Sequence, residues 1–104
     1  MNPDLLVSIQ LRPASAGGRQ SAIPAGEYRG IVGVRGVTFS MRWLLPDGKR
    51  IEPGGPEERV GLQFLDREIA TPNFMEGTSF EVWEGKVIGE GRVVEVLVRR
   101  DESR

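Results

Sequence analysis

A glycine-rich segment, Gly17-Gly18-Arg19, places one arginine where it could contact an anion. The guanidinium group presents paired N–H donors that match the oxygens of a phosphate or a carboxylate. The alternative is that Arg19 packs on, or hydrogen-bonds to, its own neighbours. The sequence leaves both interpretations of Arg19, and of the adjoining Gly18, open.

Trp83 is a second candidate contact residue. Alternation along residues 79–83 is expected to turn Phe80 and Val82 inward, which places Trp83 on the outer face. Large exposed aromatic side chains are enriched at protein interfaces. The alternative is a tryptophan covered by the segment 72–77.

Further basic residues could extend a contact surface around Arg19. They are Arg29, Arg42, Lys86 and Arg92, and Lys86 follows Gly85 in a tight-turn sequence, Glu84-Gly85-Lys86. If these side chains converge, a nucleic-acid backbone could dock there by charge. The alternative is scattered, solubilising charge, because the formal net charge is -1 and acidic residues lie among the basic ones: Glu81, Glu84, Glu90 and Glu95.

The residues most enzymes depend on are missing. The chain has no cysteine and no histidine, which excludes disulfides, zinc–thiolate sites, thiol nucleophiles and Ser–His–Asp chemistry within it. The adjacent carboxylates Glu57-Glu58 and Asp101-Glu102 point to opposite faces in an extended chain and make poor metal ligands or acid–base pairs. We therefore expect no catalytic residue, cofactor or metal.

The 104 residues fit one domain, with a core over about 5–98 and a polar tail, 99–104, that is expected to fray. The N-terminus has no basic stretch before its short apolar run, which argues against a signal peptide. No stretch approaches the ~20 apolar residues of a membrane helix. We expect a cytoplasmic protein without a membrane partner.

Short alternating segments predict the elements that position these residues. The predicted strands are 5–11, 28–34, 37–45, a short one at 49–51, 59–64, 79–83 and 88–98. Trp43 is expected in the core, and Tyr28 half-buried with its hydroxyl at the rim. No segment shows a helical period with caps, and the spacing of turns is typical of an all-β sandwich or barrel.

Four segments then carry a family resemblance. They are Gly17-Gly18-Arg19-Gln20-Ser21; Tyr28-Arg29; Leu45-Pro46-Asp47-Gly48 with Pro53-Gly54; and Glu76-Gly77-Thr78-Ser79-Phe80 through Glu84-Gly85 to Gly89-Glu90-Gly91-Arg92-Val93-Val94. In this order and at this spacing, the chain resembles the third, C-terminal β-barrel domain of elongation factor Tu. The likeness covers about residues 5–98.

The resemblance implies a six-stranded antiparallel Greek-key barrel. In elongation factor Tu this barrel contacts the T stem of transfer RNA and the exchange factor, and Arg19 and the turn at Gly85 correspond to the RNA-facing region. Gln20 stands where the family has His, Gly30-Ile31 replaces Pro-Gln, and Trp83 stands where the family has Arg. The phosphate-binding motif Gly-x-x-x-x-Gly-Lys-Ser/Thr is absent, so no nucleotide site of that kind is expected.

Two functions follow as hypotheses. The leading one is a non-catalytic binding module whose partner is a protein or a second copy of the chain. The alternative is an accessory domain that binds the backbone of a transfer-RNA-type RNA and is linked to translation. An enzyme comes third, and would need a carboxylate with a raised pKa in a deep pocket.

Overall fold

A computed structural model describes residues 2–98, which form a closed barrel. Its strands are β1 (Leu5–Leu11), β2 (Gly26–Val34), β3 (Val37–Leu45), β4 (Glu58–Phe64), β5 (Ser79–Trp83) and β6 (Val87–Val96). Around the barrel they follow the order β1-β4-β3-β2-β5-β6, and every neighbouring pair is antiparallel. Strands β2 to β4 are successive neighbours and β5 returns beside β2, which is a Greek key. The predicted six-stranded antiparallel barrel is confirmed.

Because successive strands alternate in direction, the connections fall at two ends of the barrel. The upper end carries the connections 12–25, 46–57 and 84–86. The lower end carries the turn 35–36 and the connection 65–78. This division matters for function because it brings residues 17–19 and 84–86 to the same end.

Alternating side chains fill the interior as the sequence pattern predicts. The largest fully buried side chains include Trp43, Leu5, Ile9, Leu11 and Leu62. Removing this apolar surface from water supplies the main favourable term in folding. Outward-facing positions on the same strands are mostly polar, so the alternation of side chains along each strand separates the core from the outer surface.

The lower end is closed by an aromatic cluster. Phe74, from the connection between β4 and β5, is fully buried and packs against three other phenylalanines. The ring centroids lie 4.9 to 5.8 Å from Phe74, in tilted or edge-to-face arrangements: Phe39, Phe64 and Phe80. Burying a phenylalanine side chain contributes up to about 3 kcal/mol, so Phe74 anchors this connection to the barrel.

Two local predictions differ from the structure. Residues 49–51 form no strand; Ile51 makes only a bridge to Ile23 across the upper end. Residues 67–73, where no helix is predicted, contain a helical turn, α1 (Arg67–Ala70), followed by a 3-10 turn, Thr71–Asn73. The Asp66 side chain accepts a hydrogen bond from the Ile69 N–H and caps α1, and one turn is too short to show a helical period.

The predicted tail, 99–104, lies outside the described residues. Strand β6 ends at Val96, two residues before the predicted end. Within residues 2–98, no helix has both the length and the apolar character needed to cross a membrane.

Candidate binding surface

Three side chains meet at the upper end of the barrel. The Arg19 guanidinium forms an ion pair with the Glu84 carboxylate, and the Tyr28 hydroxyl donates to the same carboxylate at 2.5 Å. Arg19 also donates to the Ser21 carbonyl oxygen at 3.0 Å. We call Arg19, Tyr28 and Glu84 the polar cluster. It joins the 12–25 connection, the start of β2 and the turn between β5 and β6.

The polar cluster continues into the core through Tyr28. The Tyr28 ring stacks on Trp43 with ring centroids 4.8 Å apart, and Trp43 is fully buried. Burial raises the pKa of the Tyr28 phenol above its ordinary value, and the hydrogen bond to Glu84 raises it further. The prediction of a half-buried Tyr28 with its hydroxyl at the rim is confirmed, as is the burial of Trp43.

Two glycines of the upper end, Gly18 and Gly85, are required for different structural reasons. Gly18 is buried and donates its N–H to the Pro13 carbonyl at 3.0 Å, and a β-carbon on it would lie 2.1 Å from the Arg12 carbonyl oxygen. Gly85 has φ 72°, which glycine adopts freely in the turn that Glu84 and Lys86 close. Lys86 is exposed beside it.

Trp83 lies on the outer face of β5 but is only half-exposed. A β-carbon at Gly33 would approach Trp83 Nε1 to 2.8 Å, so glycine in β2 makes room for the indole. Trp83 Nε1 is buried, without a hydrogen-bond partner among the described residues. Alternation in β5 places Trp83 outward as predicted, and it contacts β2 at Gly33.

Trp83 belongs to a row that crosses three strands of the outer wall and ends just beyond a fourth. Ile31 of β2 lies directly opposite Trp83 of β5 on one side and directly opposite Ser40 of β3 on the other. The Leu65 N–H donates to the Ser40 carbonyl, which continues the row just beyond β4. We call Trp83, Ile31, Ser40 and Leu65 the wall row. Leu65 is 84% exposed and Ile31 39%, so the row presents apolar surface to water.

Basic side chains lie on the upper side of the wall row. Arg29 of β2 is directly opposite Arg42 of β3, and like charges in this position repel. Glu27 lies between them, with ion-pair distances of 2.5 Å to Arg29 and 3.7 Å to Arg42. The hydrogen bond from Arg29 lowers the pKa of Glu27. The Arg29 side chain remains 76% exposed.

The predicted contact residues therefore divide into two groups. Arg19, Gly18, Gly85 and Lys86 belong to the upper end, whereas Arg29 and Trp83 belong to the outer wall. The predicted basic residues do not form one surface, because Arg92 is on β6, with β5 between it and β2.

Sequence reasoning did not select Glu84, Ile31 or Leu65 as contact residues. The position of Glu84 directly before the Gly85 turn was a usable signal, because that turn lies at the same end of the barrel as Arg19. Ile31 occupies an outward position of a strand, and Leu65 follows the alternating segment of β4. Both are apolar residues where alternation calls for polar ones.

A shallow cleft of about 200 Å³ lies on the opposite wall, between β1 and β6. Its lining includes Ser8, Glu57 and Arg92, and the Ser8 hydroxyl donates to Glu57 at 2.5 Å. That bond satisfies the hydroxyl of Ser8, which is buried although it faces outward. Among residues 2–98, no group of three or more acidic side chains is arranged to hold a metal ion.

Neither a scan of protein-family models nor a search of curated proteins finds a match to this chain.

Proposed function

We propose that this chain is a non-catalytic binding module that acts in the cytoplasm and contacts a protein through its outer wall. The observation that carries the proposal is the wall row, which exposes Ile31 beside the half-buried Trp83, and Leu65 beyond Ser40. Exposed apolar side chains with aromatic and arginine residues beside them are typical of protein interfaces.

The kinship with the third domain of elongation factor Tu remains part of this proposal. The closed six-stranded barrel supports it, since that is the fold the resemblance implies. A domain of this kind works through its surfaces, which agrees with a contact made by an outer wall.

The RNA alternative is less well supported by the upper end. At that end the Arg19 guanidinium is bound to Glu84, so of the two basic residues predicted to contact RNA there, only the exposed Lys86 is left to meet a phosphate. A phosphate would have to displace a carboxylate that also accepts the Tyr28 hydroxyl. Arg29 and Arg42 are the remaining basic pair, and they flank exposed apolar side chains that favour a protein partner.

Site-specific photocrosslinking tests the proposal. Leu65 is replaced by benzoylphenylalanine in cells, with Arg92 on the other wall replaced in the same way as a matched control. We expect an adduct at position 65 that protease removes and nuclease does not, and no comparable adduct at 92. Equal adducts at both positions, an adduct sensitive to nuclease, or none at 65 would overturn the proposal.

A further inference from the structure

The shallow cleft on the opposite wall contains charged groups of both signs. We call it the β1–β6 cleft, and its volume is about 200 Å³. Arg92 of β6 lies in its lining, with a serine directly opposite on each neighbouring strand, Ser8 of β1 and Ser79 of β5. Because both serine side chains are short, they leave room on either side of the long arginine.

Glu57 reaches the β1–β6 cleft from the 46–57 connection, and two hydrogen bonds hold this part of the connection on β1. The buried Ser8 hydroxyl donates to the Glu57 carboxylate at 2.5 Å. The side-chain amide of Gln10 donates to the Gly55 carbonyl oxygen at 3.1 Å. A carboxylate that is already held in place loses less conformational entropy when a ligand binds to it.

Arg92 and Glu57 share the cleft without pairing. Within residues 2–98 neither belongs to an ion pair, so the charged atoms of the two side chains lie more than 4.0 Å apart. The other carboxylate of the lining, Glu90, is bound by Arg12 at 2.5 Å. One guanidinium and one carboxylate therefore face the same space, each open to a ligand.

The charges in and beside the cleft balance one another. Two of them lie just outside the lining: Arg59 is directly opposite Ser8 on β4, and Glu81 is directly opposite Glu90 on β5. With these included, three basic groups accompany three acidic ones: Arg12, Arg59 and Arg92, and Glu57, Glu81 and Glu90. A ligand with one charge would meet repulsion as well as attraction, whereas a ligand carrying both charges can pair with both.

We propose that the β1–β6 cleft binds a free α-amino acid in its zwitterionic form. The ligand carboxylate pairs with the Arg92 guanidinium, whose parallel N–H donors match two carboxylate oxygens, and the Ser79 hydroxyl donates to it as well. The ligand ammonium group donates to Glu57 and to the oxygen of Ser8, whose own proton is engaged with Glu57. The cleft and the wall row lie on different walls, so this inference does not depend on the proposed function.

The lining restricts which amino acids bind well. It contains no aromatic or large apolar side chain, so nothing in it packs against an apolar ligand. Small amino acids such as glycine and serine are therefore favoured. Because the cleft is shallow, solvent screens both ion pairs, and we expect a Kd on the order of 1 mM.

Titration of the full chain with glycine, followed by backbone-amide NMR, tests the inference. We expect saturable shifts at Ser8, Gly91 and Arg92, with a Kd on the order of 1 mM. Acetate supplies only the carboxylate of glycine and methylammonium only its cation, so each should bind at least about tenfold more weakly. Glycylglycine, which holds its two charges farther apart, should also bind more weakly than glycine.

Substitutions of the two open charges have a matched control. Arg92→Gln and Glu57→Gln should each weaken glycine binding at least about tenfold. Arg59→Gln removes the same charge just outside the lining and should change the Kd by less than about twofold. If Arg92→Gln fails to fold, as judged by circular dichroism, Arg92→Lys takes its place. Lysine keeps the charge without the paired donors, so it should weaken binding about threefold or more.

Three results would overturn the inference. The first is no saturable shift with glycine up to about 50 mM. The second is acetate or methylammonium binding as tightly as glycine, which would show a site for a single charge. The third is an unchanged Kd in Arg92→Gln or Glu57→Gln. Crosslinking at position 65 reports on the other wall, so it tests the proposed function separately from all three results.

Discussion

The polar cluster and the surface beside the wall row each pair an arginine with a glutamate, with opposite consequences. In the polar cluster, Glu84 binds Arg19 and Tyr28 together, and the three side chains hold separate segments of the upper end. Beside the wall row, Arg29 stays 76% exposed although it forms an ion pair with Glu27. The first arrangement stabilises the barrel, and the second leaves charge available to a partner.

The difference shows that an arginine's role depends on how buried the arginine itself is, because the Glu84 and Glu27 side chains are similarly exposed, at 32% and 40%. The Arg19 and Glu84 side chains are 22% and 32% exposed. Removing either side chain therefore leaves the charged group of the other partly buried and without its partner. Glu27 lies on the open face of β2, where solvent screens its ion pair. Substitutions at the upper end should therefore reduce stability, whereas substitutions on the wall should alter binding.

The largest expected loss comes from the backbone beneath the polar cluster. Gly18→Ala would place a β-carbon 2.1 Å from the Arg12 carbonyl oxygen, so the 12–25 connection must move. We expect the free energy of unfolding to fall by about 3 kcal/mol in urea denaturation. Gly17→Ala is the control: it has open space but φ 89°, and should cost about 1 to 2 kcal/mol. Equal losses would contradict a packing role for Gly18.

A smaller loss is expected when the acceptor of the polar cluster is removed. Glu84→Ala leaves the Tyr28 hydroxyl and the Arg19 guanidinium without their shared partner, and should lower the free energy of unfolding by about 2 kcal/mol. Glu81→Ala, on the exposed face of β5, should change it by less than about 0.5 kcal/mol. Similar values for both variants in urea denaturation would mean that the polar cluster contributes no stability.

Alkaline pH should act on the polar cluster through Tyr28. Its pKa is raised in the folded chain, so above pH about 10 the unfolded phenol loses its proton while the folded one keeps it, and stability falls as pH rises. Since Tyr28 is half-buried, we expect a loss below about 1 kcal/mol per pH unit.

Tyr28 is the single tyrosine of the chain, so absorbance near 295 nm reports its ionisation directly. The titration midpoint should lie above that of the urea-unfolded chain. Urea denaturation of Tyr28→Phe should show less loss between pH 9 and 11 than wild type. Coincident titrations of folded and unfolded protein would contradict the raised pKa.

The smallest expected effect on stability is on the wall. Arg29→Ala should change the free energy of unfolding by less than about 0.5 kcal/mol, because the side chain is exposed and its ion pair is screened. Arg19→Ala should cost more, about 1 kcal/mol, since Glu84 and Tyr28 remain partly buried. Thermal unfolding of the two variants compares them directly, and the reverse order would contradict the distinction between the two regions.

Much of the barrel could be predicted because its signals are local. Alternation placed β1 and β3 with the observed bounds, and turn chemistry placed the hairpin at Gly85. The strand predicted at residues 49–51 was wrong, because the single apolar residue there, Ile51, is buried through one bridge and needs no strand. The helical turn in the 65–78 connection was not predicted, because the connection is shaped by the packing of Phe74 into the aromatic cluster, which is a tertiary contact.

The amino-acid sequence by itself determined which side chains enter the barrel and which face water, because that depends on a period of two along each strand. Only the tertiary structure decided which outward residues become neighbours. Glu84 reaches Arg19 from 65 positions away, and Leu65 joins Ile31 through β3. Strand order and register set those distances, and both arise when the whole sheet closes on its core.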